Sequence, residues 1–222
     1  MYEEEKALLR KLCLKSDDAR RGVLEEALRA DGVRYENWDG MALVVPAQAE
    51  RAVVLCAHFD AVPDSLGYND NGMALVLALR LLRGRPRGVE FVFTNGEERG
   101  CLGARHYLRR VRKEIRGCVN LDVVGCFDMV YLDPMNCDAA KSLDNCKQGD
   151  MPPNDAFVFA AAGIASVCFS SGPAETTFVE GIMQICSTLH NNFRDNDFSI
   201  LNFAMPRQVA AEVKKAVALM AA

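Results

Sequence analysis

"VEFVFTNGEERG", residues 89–100, runs an apolar stretch into two adjacent glutamates. The stretch Val89–Thr94 has the length and composition of a buried strand. Two neighbouring carboxylates repel each other, and almost any polar residue could end a strand; alone Glu97 and Glu98 would pass as a solvated loop, so the question is which other residues share their charge. Outward from this point the chain alternates. Upstream, "MALVV" (41–45) and "AVVLCA" (52–57) read as strands and "NGMALVLALRLL" (71–82) as a helix, preceded by helices over 3–14 and 18–30. Downstream, "CLGARHYLRRVRKEI" (101–115) reads as a helix, "GCVNLDVVG" (117–125) and "MVYLD" (129–133) as strands, "DAFVFAAAG" (155–163) as a helix, "IASVCFS" (164–170) as a strand and "PRQVAAEVKKAVALM" (206–220) as a closing amphipathic helix. Residues 134–153 are polar and carry a Pro-Pro pair, which predicts an exposed excursion with at most one short helix. Strands alternating with helices predict an α/β fold, a three-layer α/β/α sandwich on a mainly parallel central sheet, with 1–222 as one domain.

At 222 residues, half apolar and a quarter charged, the composition is that of a soluble globular chain. A net charge of −4 offers no basic surface for nucleic acid, and no apolar run approaches the ~20 residues needed to span a bilayer. The acidic, amphipathic start "MYEEEKALLRKLCLKSDD" resembles neither a secretion signal nor a transit peptide. Nine cysteines is an odd number, none stands in a CxxC pair, and Cys56, Cys118 and Cys168 fall inside strand-like runs. Buried free thiols in a reducing compartment, hence a cytoplasmic location, are the expectation, with Cys137 and Cys146 the one pair to test for a bridge.

In parallel sheets ligands gather beyond the carboxyl ends of the strands. His58 and Asp60 follow "AVVLCA", Glu97 and Glu98 follow "VEFVFT", and Asp122 follows "CVNL". Asp70 directly precedes a predicted helix, where the dipole favours an anion, and His190 lies in the polar stretch "STLHNN". Each has a plainer reading alone: Asp70 in "NDNG" suits a turn or N-cap, and a single histidine at a strand end is more often a surface residue. Together they put carboxylates and histidines on one rim, where two divalent ions would balance the charge. Nitrogen and oxygen donors without a thiolate suit zinc, with cobalt or manganese as substitutes. His106, inside a predicted helix, reads as structural.

The stretches "AHFDAV" (57–62), "NDNGMAL" (69–75), "FTNGEERGCLGARHYL" (93–108), "VNLDVVG" (119–125) and "LHNNFRD" (189–195), in this order, resemble the co-catalytic dizinc aminopeptidases of the bacterial leucyl aminopeptidase type, a group that includes glutamate carboxypeptidase and glutaminyl cyclase. "NDAFVFAAAGIASVCFS" (154–170) is similar to the segment before the last ligand of that group. The resemblance implies a zinc-exopeptidase (phosphorylase/hydrolase-like) fold and two zinc ions. It implies His58 and Asp122 on one ion, Glu98 and His190 on the other, and Asp70 bridging. Asp60 would orient His58 by accepting a hydrogen bond from its second ring nitrogen. Glu97 would be the general base that activates a metal-bound hydroxide for attack on the peptide carbonyl. The implied substrate is a peptide or dipeptide with a free amino terminus, with neither nucleic acid nor membrane as partner. The chain departs from the group after the last histidine, where Asp195 stands five residues on rather than four.

Other activities occupy the same scaffold. Glutaminyl cyclases carry a Trp before the last histidine, whereas this chain has Leu189 and its one Trp at position 38. A carboxypeptidase or other amidohydrolase needs a cation to clamp a terminal carboxylate, for which Arg194 is the candidate. A non-catalytic binding module would have lost ligands that are present here.

Overall fold

The computed structural model describes residues 2–190 and 193–222. Two N-terminal helices, α1 (Tyr2–Leu12) and α2 (Asp17–Ala30), precede a hairpin of β1 (Glu36–Trp38) and β2 (Ala42–Val45). There follow β3 (Arg51–His58), α3 (Met73–Arg83), β4 (Val89–Thr94), α4 (Leu102–Arg110) and β5 (Glu114–Leu121). The second half holds β6 (Met129–Asp133), β7 (Lys147–Gln148), α5 (Asp155–Ala161), β8 (Ser166–Gly172), α6 (Phe178–Cys186) and α7 (Met205–Ala221).

The strands form one eight-stranded sheet in the order β1-β2-β4-β3-β5-β8-β6-β7. Its centre, β4-β3-β5-β8, is parallel, while β2 joins β4 and β6 joins β8 antiparallel. Side chains alternate across a strand, and β3 shows it: Val53, Leu55 and Ala57 enter a core with α1, α2, α3 and α7, while Val54 and Cys56 face α4 and α5. Both faces are covered, which is why these strands read as continuous apolar runs. None of the described helices is long and apolar enough to cross a membrane.

Several boundaries differ from the sequence reading. The helix expected over 101–115 stops at Arg110: Val111 is extended (φ −58°, ψ 136°), and Glu114 already pairs with Arg51 at the start of β5. The helix expected from Asn71 begins at Met73, because a π-type turn over Tyr68–Gly72 comes first, with Asp70 in a non-helical conformation. Asp70 is therefore not a helix cap. Residues 134–153 carry the one short helix expected and are exposed only in part. Cys137, Ala140 and Leu143 are buried in the main core, and Met151 in a smaller cluster with Tyr131, Ile185 and Leu189. All nine cysteines are free, so Cys137 and Cys146 are not bridged.

Candidate functional site

The parallel centre brings three strand ends together. His58 pairs with Thr94 across β3 and β4, and Cys56 with Asn120 across β3 and β5, so the residues that follow these strands emerge on one rim. Buried hydrogen bonds then shape the rim. Asp60, 1% exposed, turns its carboxylate to the backbone of the glutamate pair, accepting the N–H of Glu97 at 3.1 Å and of Glu98 at 3.3 Å. His58 Nδ1 lies 3.1 Å from the Asp60 carbonyl oxygen and 3.5 Å from its carboxylate. Asp60 thus meets His58 chiefly through its backbone, and its side chain holds the "GEE" turn.

The turn bearing Asp70 is held by Asp195. One Asp195 oxygen accepts the N–H groups of Asn69 (2.9 Å) and Asp70 (3.2 Å), and the other accepts Ser65 Oγ–H (2.8 Å). Asn71 donates to the Leu121 carbonyl and accepts from Val123 N–H, tying the turn to the end of β5 beside Asp122.

Every ligand candidate converges. His58 Nε2 lies 3.1 Å from Asp70 Oδ1 and 3.4 Å from Asp122 Oδ1, while His190 Nε2 lies 3.6 Å from Asp70 Oδ2 and 3.4 Å from Glu98 Oε2. The two oxygens of Asp70 thus face different histidines. Donor atoms of His58, Asp70 and Asp122 lie within 4.8 Å of one another, as do those of Asp70, Glu98 and His190, and those of His58, Glu97 and Glu98.

The electrostatics call for a cation. Burial, together with Asp122, Asp155 and Asp70, pushes Glu97 up to about 9 despite the opposing pull of His58. Burial and Asp70 push Glu98 up to about 8. Burial also raises Asp122. Burial opposes charge on His58, but its contacts with Asp122, Asp60 and Asp70 outweigh that and hold it well above the ordinary histidine value. Among the described residues, His58 Nε2, Glu98 Oε1 and Asp122 Oδ1 are buried without a partner in hydrogen-bonding geometry. Buried polar atoms are seldom left so, and nitrogen and oxygen donors aimed at shared points fit divalent cations, zinc foremost.

A cavity of about 350 Å³ opens over Asp70, Glu97, Glu98, Asp122 and His190. Its other wall is apolar: Val123, Met151, Ile182, Ile185 and Leu189. Met151 is positioned by Asp133, whose buried carboxylate accepts the Met135 and Met151 N–H groups. Arg194 is exposed and is not among the described lining residues, so it does not stand as a carboxylate clamp in this cavity. His106 meets Asp39 on the surface, away from the site.

The sequence reading missed several contributors. Helix α6, which supplies Ile182 and Ile185, has a capping box of Thr177 and Glu180, and the pattern T-x-x-E was there to find it. Asp155, fully buried, accepts hydrogen bonds from Thr94 Oγ1 and Cys56 Sγ just behind the rim. The Asn-Asp helix start marks its position, but no local signal reports its burial. Asp195, whose spacing from His190 departs from the group's pattern, serves the Asp70 turn.

A sequence profile of peptidase family M28 matches residues 41–191, which takes in every ligand candidate. Aminopeptidase YwaD of Bacillus subtilis is 38% identical over 82 residues, 33% of this chain and 18% of that protein. A vacuolar membrane protease of Yarrowia lipolytica is 34% identical over 82 residues, 33% of this chain and 8% of that protein. The chain thus spans less than a fifth of the length of these curated relatives. Among solved structures, BSAP, a zinc aminopeptidase from Bacillus subtilis, superposes with a TM-score of 0.62 at 25% identity, covering 79% of this chain and 50% of that one. A glutaminyl cyclase of Bacteroides thetaiotaomicron superposes with a TM-score of 0.71 at 17% identity, covering 97% and 95%, a likeness of fold. The family profile runs through the strand ends and loops that carry the convergent histidines and carboxylates, and the chain belongs to peptidase family M28.

Proposed function

We propose that this chain is a zinc-dependent aminopeptidase with two cation positions sharing Asp70, the first completed by His58 and Asp122 and the second by Glu98 and His190. The observation that carries the proposal is the division of Asp70: one oxygen faces His58 and the other His190. Zinc bound there supplies Lewis acidity, polarising a carbonyl and acidifying water.

The rest falls to the protein. Glu97, on the cavity wall beside Glu98, takes a proton from the attacking water and returns it to the departing amine. Within the turn Glu98 Oε2 lies 3.4 Å from His190 Nε2, so Glu98 can serve as a ligand while Glu97 handles protons. Asp60 fixes both through their backbone N–H groups. The carboxylate rim favours a free α-ammonium, and the wall of Val123, Met151, Ile182 and Ile185 receives an apolar first side chain while excluding water.

The test is hydrolysis of leucine p-nitroanilide and of free peptides before and after chelation, with elemental analysis. Chelation should abolish turnover, zinc should restore it, and N-acetylated peptides should resist cleavage. Full activity in protein shown to be metal-free would exclude the mechanism. The glutaminyl cyclase likeness in extent makes ring closure of N-terminal Gln the second assay, and ring closure without hydrolysis would favour that reading.

A further inference from the structure

The loop from His58 to Asp70 carries a ligand candidate at each end, so whatever fixes it fixes both. Arg20, on α2, is 1% exposed and makes no ion pair among the described residues. Its guanidinium instead donates to three main-chain carbonyls: Nε to Leu14 at 2.6 Å, Nη1 to Phe59 at 3.4 Å, and Nη2 to Leu66. Burying a charge without a counter-ion is costly, and an apolar side chain would fill the space more cheaply, so packing alone does not account for it. The planar fork, by contrast, suits several fixed acceptors at once.

Two of those carbonyls belong to the loop. Phe59 stands between His58 and Asp60, and Leu66 precedes Gly67, which has φ +57°. A Cβ at position 67 would fall against the Asp70 carbonyl and 2.8 Å from Arg20 Nη2, so the close approach of the fork needs glycine. The residue after helix α1 adds to the contact, with Cys13 Sγ donating to the Gly67 carbonyl at 3.5 Å. Asp195 in turn takes the amides of Asn69 and Asp70 and the hydroxyl of Ser65. The loop's carbonyls therefore meet a buried cation and its amides a buried anion.

We infer that Arg20 is a positioning residue for the ligand loop, clamping residues 59–70 against Asp195 so that Asp70 presents its oxygens to both cation positions. The inference rests on the zinc aminopeptidase reading, and it gives a role to the N-terminal helical pair, which lies outside the family match at 41–191. Arg20 touches neither the cavity nor the ligands, so it acts on zinc and turnover without entering the substrate wall.

The test uses the full chain carrying Arg20→Met or Arg20→Lys. Zinc affinity is measured by competition with a chromophoric chelator, kcat and KM are separated, and hydrogen exchange is followed over 59–70. Arg20→Met should weaken zinc binding and lower kcat by about 10–100-fold, the scale of losing a group that orients a ligand, with KM little changed and exchange in the loop accelerated. Arg20→Lys, which keeps the charge but not the fork, should fall between. Parent-like zinc affinity in a cooperatively melting Arg20→Met protein overturns the inference. If Arg20→Met does not fold, parent-like affinity and loop exchange in Arg20→Lys overturn it. A parent chain that binds no zinc removes the underlying reading, and that result is read from the parent alone.

Discussion

The two halves of the site are built differently. His58 is the last residue of a central strand, paired with β4 and 1% exposed in its side chain, with Asp122 beside it at 16%. His190 sits in a loop after α6 with φ +59° and its side chain 58% exposed, opposite Glu98 at 9%. One proposed ligand set is held by the sheet and the other lies toward solvent. Asp70 belongs to both, and through Asp195 and Asn71 it is tied to the loop side and to the β5 end alike. The lesson is that the two positions should differ in affinity, the enclosed one holding its ion more tightly.

The largest effect belongs to the shared residue. Asp70→Ala should reduce zinc at both positions and take peptide hydrolysis to background; loss of a single zinc with turnover retained would show that the halves are independent. Next is Glu97→Gln, which should keep its zinc while losing about 10²–10⁴-fold in kcat, the range of general acid–base catalysis. Glu98→Gln should instead weaken the outer position, and identical metal loss in both variants would mean that these neighbours do not divide the roles. Asp60→Asn, which disturbs the amide contacts of the glutamate pair, should cost about 10–100-fold in activity or zinc affinity; unchanged kinetics would reduce Asp60 to a turn residue.

A smaller effect is thermodynamic. In metal-free protein Glu97 at about 9 and Glu98 at about 8 make the folded state hold more protons than the unfolded one above about pH 5, and the raised His58 adds to this above the ordinary histidine value of 6.5. Stability then falls as pH rises from about 5 to 9, because the folded state binds the excess protons. Melting temperatures in chelator should decline across that window and zinc should remove much of the decline. A flat metal-free profile would show that the rim carries no such charge strain.

Much of this was legible because its causes are local. The apolar runs of β3, β4 and β5 announced strands buried on both faces, and parallel strands deliver their carboxyl ends to one side, so His58, Glu97, Glu98 and Asp122 could be grouped before any coordinates. The rest depends on distant contacts. Polar composition over 134–153 suggested solvent, but Leu143 and Met151 are buried by α7 and by the α6 cluster, which no local pattern reports. Asp195 meets Asn69 across 126 positions of chain and Arg20 meets Leu66 across 46, so their roles emerge only when the chain is folded. Helix α6 was the exception, a readable capping box overlooked.

The difference between the halves is tested most directly by titrating metal-free protein with zinc, comparing the parent with His190→Ala. Two zinc ions should bind the parent in separable steps, and His190→Ala should lose the weaker step while keeping the tighter one. A single zinc per parent chain, taken up equally by His190→Ala, would contradict a two-position site shared through Asp70.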